Sequence, residues 1–292
     1  SGTLTLGIPY PFTRYSGAVI TGTGNLIKNG AYTQVLSGPS TYTGSTSIQG
    51  GTLSLENAAS ISQSRLIGVD QGATFDISST TSGTSIKDLS GTGSVVLGAK
   101  DLAITGTTSG ANAGGDSFGG VISGTGGLTI DLTRTGQGGS FSLNGTNTYT
   151  GPTSIESGNL LLDGGSISKV SKVTVKPGAR LGILSGTNAE AGGTVVGGPG
   201  ARSHLDINGT LNINGDLDLD QGSRTLFNSG DIGDPNLNTG ARSLVVTGTL
   251  FHNGENIDSR GGNYTIDVGE LRGNSNILVD GEKLTLTTRN DS

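Results

Sequence analysis

Short runs of alternating apolar and polar residues recur along the whole chain, and Gly or Asn closes most of them. Thr52-Leu53-Ser54-Leu55, Ala73-Thr74-Phe75-Asp76-Ile77 and Lys172-Val173-Thr174-Val175 are examples. Period-two alternation puts one set of side chains on one face of a strand and the other set on the opposite face. No apolar stripe with helical period is found, so the pattern predicts an all-β chain of short strands. Gly and Asn between the runs predict tight turns that need positive φ.

The strands are organised in repeats. Thr41-Tyr42-Thr43-Gly44-Ser45-Thr46-Ser47-Ile48 aligns with Thr148-Tyr149-Thr150-Gly151-Pro152-Thr153-Ser154-Ile155, with Tyr42 and Tyr149 at an offset of 107 residues. Upstream, Ile20 to Leu26 matches Ile122 to Leu128 at an offset of 102. Downstream, Ile67, Val69, Ala73, Phe75 and Ile77 match Val173, Val175, Ala179, Leu181 and Ile183 at 106. Small drifts between matching blocks indicate duplication with length changes confined to connections. A shorter beat, Gly-Thr-Leu, recurs at Gly2, Gly51, Gly209 and Gly248.

Composition decides how such strands assemble. The chain has 54 Gly in 292 residues, six Tyr, six Phe and no Trp. A sandwich of this length would carry more aromatic anchors and hairpin turns. A parallel β-helix (β-solenoid) instead stacks Leu, Ile and Val in a narrow interior and turns its corners on Gly. With roughly 20–25 residues per coil, about 12–14 coils would form a rod roughly 60 Å long. Cys is absent, which removes disulfides and thiolate chemistry. The net charge of −6 argues against nucleic acid and anionic membranes as partners. Methionine is absent too, and the first residues begin in mid-pattern, which reads as a fragment of a longer protein.

Phe118 to Leu128, then Leu143-Asn144-Gly145-Thr146-Asn147-Thr148-Tyr149-Thr150-Gly151, then Ile155 to Leu162, closely resemble the passenger-associated repeat of bacterial autotransporters. Leu89-Ser90-Gly91-Thr92-Gly93-Ser94-Val95 is similar to the lead-in of that repeat. The resemblance covers most of residues 16–185. In the first copy, Gln34 to Ser40 departs from the pattern, because the Gly-Asn pair before the tyrosine is blurred. Leu205 to Leu219, Ser243 to Leu250, and Asn263 to Leu286 look like the last coils of such passengers and the autochaperone region ahead of their membrane barrel. The resemblance implies a right-handed parallel β-helix exported by type V secretion, displayed on the bacterial outer membrane or released. It divides the chain into passenger repeats over residues 1–200 and autochaperone-like coils over 201–292, with a C-terminal membrane β-barrel as a further partner.

Candidate chemistry is sparse. Gly115-Asp116-Ser117-Phe118-Gly119 has the form of a serine nucleophile elbow, but no helix pattern follows it. His204 and His252 fall on different expected coils. Asp216, Asp218 and Asp220 alternate with Leu217 and Leu219, and Gln221 stands where a calcium loop needs Gly, so an acidic solvated face is expected. Lys172, Lys176 and Arg180, with Lys169 before them, form either a wet strand face or a small basic stripe for a sulfated glycan. The sharpest irregularity is Pro9-Tyr10-Pro11-Phe12-Thr13-Arg14-Tyr15, expected to be a loop or bent excursion. Tyr10, Phe12, Arg14 and Tyr15 are its candidate partner contacts, because exposed Tyr and Arg favour interaction hot spots. Asn228 to Arg242 is a second, polar excursion.

No catalytic, cofactor or metal site survives this reading. The expected function is a non-enzymatic virulence factor. It would bind a host cell-surface protein or glycan, or another copy of itself. A polysaccharide lyase or hydrolase on the same scaffold is one alternative. A stalk and folding nucleus for an effector before residue 1 is another.

Overall fold

A computed structural model describes residues 2–7, 12–15, 19–106, 116–132, 139–183, 188–192 and 194–197, and beyond these only strands between 204 and 288. Side chains are described for residues 2–7, 19–106, 117–132, 139–183 and 191–192. Every described element is a strand, and every described strand pair is parallel. The chain is a β-solenoid, as its alternation and glycine content predict.

Among the described residues the first face of the coil is a sheet of thirteen strands, from Thr3–Leu6 to Ile277–Asp280. Successive strands open at Thr3, Asn25, Thr46, Ile67 and Leu89, within the expected coil length. The second face holds six strands, from Phe12–Tyr15 to Val121–Gly124. The third face begins at Thr84–Ile86 and runs through Leu102–Ile104, Leu128–Asp131, Thr153–Ser157 and Lys172–Val175. Beyond Val121–Gly124 the second-face place in the chain order passes to Ser166–Ile167 and then Asn188–Gly192 and Thr210–Asn214. These join the third face at Arg242–His252. Its first half pairs with Thr210–Asn214 and its second half with Leu217–Leu219, across a register shift after Val246.

Parallel register stacks like on like. On the first face Ile48 lies above Val69, and on the second Leu53 above Phe75 and Val95. On the third, Ile86, Ile104, Ile130, Ile155 and Val175 form one column, all buried. Each layer covers its neighbour's apolar surface, so stability is close to additive along the axis. Glycine makes the corners in two ways. Gly91 has φ of +104°, and Gly120 sits so close beneath the preceding coil that a Cβ would run into the Gly93 carbonyl.

One expectation needs correction. Phe12–Tyr15 is a regular strand, in register with Thr33–Leu36, rather than a loop. Proline removes only its own N–H, and Pro9 and Pro11 both precede the strand, so the ladder starts at Phe12. Of the second excursion, Arg242 opens a strand, while 228–241 lie outside the described residues.

The two repeat copies occupy different faces. In the first copy Thr46–Ile48 lies on the first face and Thr52–Asn57 on the second. In the second copy Thr153–Ser157 lies on the third face and Asn159–Leu162 on the first. The upstream and downstream blocks shift the same way: Leu26 is on the first face and Leu128 on the third, and Phe75 is on the second and Leu181 on the first. The offset therefore spans four coils and two further faces.

Candidate functional site

The feature common to both copies is a face without a strand. At Ser40 to Gly44 and at Asn147 to Gly151 the ladder is reduced to one isolated bridge, Pro39 with Ser60 and Thr146 with Ser166. A tyrosine fills the space. Tyr42 and Tyr149 are both fully buried, and each phenol meets the hydroxyl of the threonine four residues on, Thr46 at 2.5 Å and Thr153 at 2.6 Å. Both threonines take inward positions, Thr46 in register with the buried Leu26 and Thr153 with the buried Leu128. A buried hydroxyl needs a partner, and the tyrosine supplies it.

The backbone around the tyrosine follows one plan. Thr41 and Tyr42 donate to the Ile20 carbonyl at 2.8 and 3.2 Å, and Thr148 and Tyr149 to Ile122 at 2.9 and 3.2 Å. The Ile122 N–H is left over, and the Asn147 side chain accepts it at 2.9 Å. Asn147 Nδ2 also donates to the Gly145 and Ser166 carbonyls at 3.0 and 3.2 Å. In the first copy the Ser40 hydroxyl accepts from Ile20 N–H at 3.1 Å. The blurred Gly-Asn pair is thus explained: Ser40 replaces the acceptor of Asn147 but not its two donors. Burial pushes the Tyr42 phenol from its ordinary 10 up to about 12, partly offset by its hydroxyl partners. Burial raises Tyr149 further.

The first copy also carries polar groups inside. Lys28 is fully buried, and its ammonium donates to the Asn29, Gly30 and Gly50 carbonyls at 2.9, 2.8 and 2.6 Å. Burial lowers its pKa. Gln34, in register with Leu53, is buried, and its Oε1 has no hydrogen-bond partner among the described residues.

Among the described residues, the catalytic and metal candidates singled out in the sequence fall on separate strands, and Asp216 and Asp220 lie outside the described residues. Ser117 is exposed on a strand, in register with Ser142, and a strand at Val121–Gly124 follows it rather than a helix. His204 opens a first-face strand, and His252 ends a strand that joins the third. Asp218 is in register with Val196 and Phe251 on the third face. Among the described residues no three of His, Asp and Glu lie in metal-binding proximity. Tyr10 and the side chains of Phe12, Arg14 and Tyr15 lie outside the described residues. The two tyrosine clamps, and the buried Lys28, are what the sequence reading missed. The signal for Lys28 was present, since Asn25-Leu26-Ile27-Lys28 puts lysine on the same side as Leu26.

The family model of the passenger-associated transport repeat matches residues 26–55 and 132–162. Each matched segment contains one tyrosine clamp and the strands on either side of it. The chain is also similar to an adhesin autotransporter, BmaC, of Brucella suis biovar 1 (strain 1330), at 33% identity over 165 residues. That match spans 53% of this chain and 4% of the relative. No solved structure matches the chain. Two segments that match the passenger-associated transport repeat, built to one plan down to their hydrogen bonds, make this stretch of chain similar to autotransporter passenger domains.

Proposed function

We propose that this chain is a non-enzymatic adhesin segment, presented on the bacterial outer membrane or released from it, that binds host cell surfaces. The observation that carries the reading is its similarity to an autotransporter adhesin across about half of its own length. A parallel solenoid suits the task physically. It holds outward side chains at fixed spacing on a stiff support, so contacts form with little loss of conformational freedom. The strand Phe12–Tyr15, with its aromatic and arginine residues, is the proposed partner contact at one end. The membrane barrel of the full-length protein is the proposed means of display, and residues 201–292 its folding-competent neighbour.

The test is direct binding of the purified chain to epithelial cells and to immobilised matrix glycoproteins, with sedimentation to detect self-association. Saturable binding to cells or matrix is expected. A chain that binds neither, or that turns over a polysaccharide or ester substrate, overturns the reading.

A further inference from the structure

On a chain of net charge −6, one coil is basic. From residue 164 to residue 189 the sequence holds Lys169, Lys172, Lys176 and Arg180, and no Asp or Glu. Val173 and Val175 are buried, so Lys172 and Thr174 take the outward positions of Lys172–Val175, and Lys176 follows at the next. Lys169, Lys172 and Lys176 are all exposed. Four residues of extended strand set Lys172 and Lys176 about 13 Å apart.

The floor between them is low and hydroxyl-bearing. Thr174 is in register with Ser154, and Ser154 with Thr129. Among the described residues, three carboxylates on the preceding coils of this face accept hydrogen bonds from their own surroundings. Glu156 accepts from the Ser154 hydroxyl at 2.5 Å, Asp131 from the Ser157 hydroxyl at 2.7 Å, and Asp101 from the Gly127 N–H at 2.7 Å. The ammoniums of Lys169, Lys172 and Lys176 have no hydrogen-bond or ion-pair partner among the described residues. Three ammoniums with free donors therefore stand beside small hydroxyls, and none of these carboxylates pairs with them.

We infer that this coil binds a sulfated glycan chain laid along Lys172–Val175, with sulfates at Lys172 and Lys176 and ring hydroxyls over Thr174 and Ser154. The inference rests on the adhesin reading and names its partner class. Charge complementarity favours a thin chain over a broad anionic surface. Screening limits the reach of exposed charges to about 8 Å at physiological salt. A glycan laid along this coil meets three lysines against one exposed carboxylate of the coil before it, Glu156, whereas a membrane or nucleic-acid duplex would also face the acidic remainder of the chain. Sulfate suits the site because it stays ionised at every physiological pH and offers three acceptor oxygens to an ammonium with three donors.

The probes are a sulfated heparin hexasaccharide, its fully desulfated counterpart and phosphatidylserine vesicles, titrated calorimetrically into the full chain. The sulfated hexasaccharide alone is expected to bind, more weakly as salt rises. The double variant K172Q/K176Q should weaken it by about tenfold or more, as expected from losing charge-assisted hydrogen bonds. Lys87→Gln, on a distant coil of the same face, should leave it unchanged, and all variants should keep the β circular dichroism of the parent. Equal binding by K172Q/K176Q, no binding by the parent chain, or tighter binding to vesicles would overturn the inference. A cell-binding arm separates it from the reading beneath it. Attachment that survives both K172Q/K176Q and enzymatic removal of surface sulfated glycans refutes the sulfated-glycan site and keeps the adhesin. Absence of attachment by the parent chain refutes the adhesin.

Discussion

The two repeat copies share their interior and differ in where they face. Tyr42 and Tyr149, Thr46 and Thr153, and Ile48 and Ile155 are buried in equivalent roles. Their outward neighbours Ser47 and Ser154 stand on different faces, the first and the third. A surface site carried by the repeat would therefore be presented in two directions, so the repeat encodes a core plug and a turn rather than a binding surface. The copies also differ inside. Lys28, Gln34 and Ser40 of the first align with Ile130, Phe141 and Asn147 of the second. Among the described residues, the buried polar groups of the second are hydrogen-bonded, while the first holds a buried cation and an amide oxygen without a partner.

This contrast sets the order of expected effects. Asn147→Ala removes three hydrogen bonds in a buried site and is expected to cost about 3 kcal/mol, against about 1 kcal/mol for Ser40→Ala. Denaturant melts of both, with hydrogen exchange at the Ile122 and Ile20 amides, would measure the difference. Tyr149→Phe should cost about 2 kcal/mol, because Thr153 loses its phenol partner in a fully buried site. Tyr42→Phe should cost about half as much, since Thr46 keeps its bond to the Ser64 hydroxyl. Equal losses in the two copies would remove the contrast. Gln34→Leu should raise stability by about 1 kcal/mol by removing the unpaired amide oxygen beside Leu53.

The same two phenols also make the fold sensitive to alkali. The unfolded chain ionises its phenols near 10, whereas the folded chain holds the Tyr42 proton to about 12 and that of Tyr149 higher still. That stability is whole below pH 10 and is lost as pH rises through about 12. Lys28 acts in the opposite sense. Its lowered pKa means the folded chain releases this proton first, so its contribution is complete above the unfolded value of 10.5 and is lost as pH falls through the folded one. Stability measured from pH 9 to 12 should fall once pH passes 10, and the double variant Y42F/Y149F should flatten the fall.

Much of this was legible beforehand. Alternation alone assigns Leu53, Phe75, Ile122 and Leu160 to the interior, and Gly91 to a corner, because strand period and glycine's freedom are local properties. The rotation between copies was hidden because coil length varies. An offset of 107 residues does not by itself distinguish a whole number of coils from four coils and two faces. Tyr42 and Tyr149 marked a motif without revealing their burial, since burial depends on the strand missing beside them. Phe12–Tyr15 was misread because its prolines lie just outside the ladder.

Cross-linking tests the face assignment most directly, and the absence of native Cys leaves the assay free of background. Thr129 and Ser154 are in register on adjacent coils of the third face, where a spacing of about 4.8 Å suits a disulfide. Ser142, on the first face, precedes Ser154 by 12 residues and stands around the corner from it. Oxidation should close an intramolecular disulfide in T129C/S154C and none in S142C/S154C, as read by mass spectrometry. A cross-link in the second variant and not the first would contradict the account.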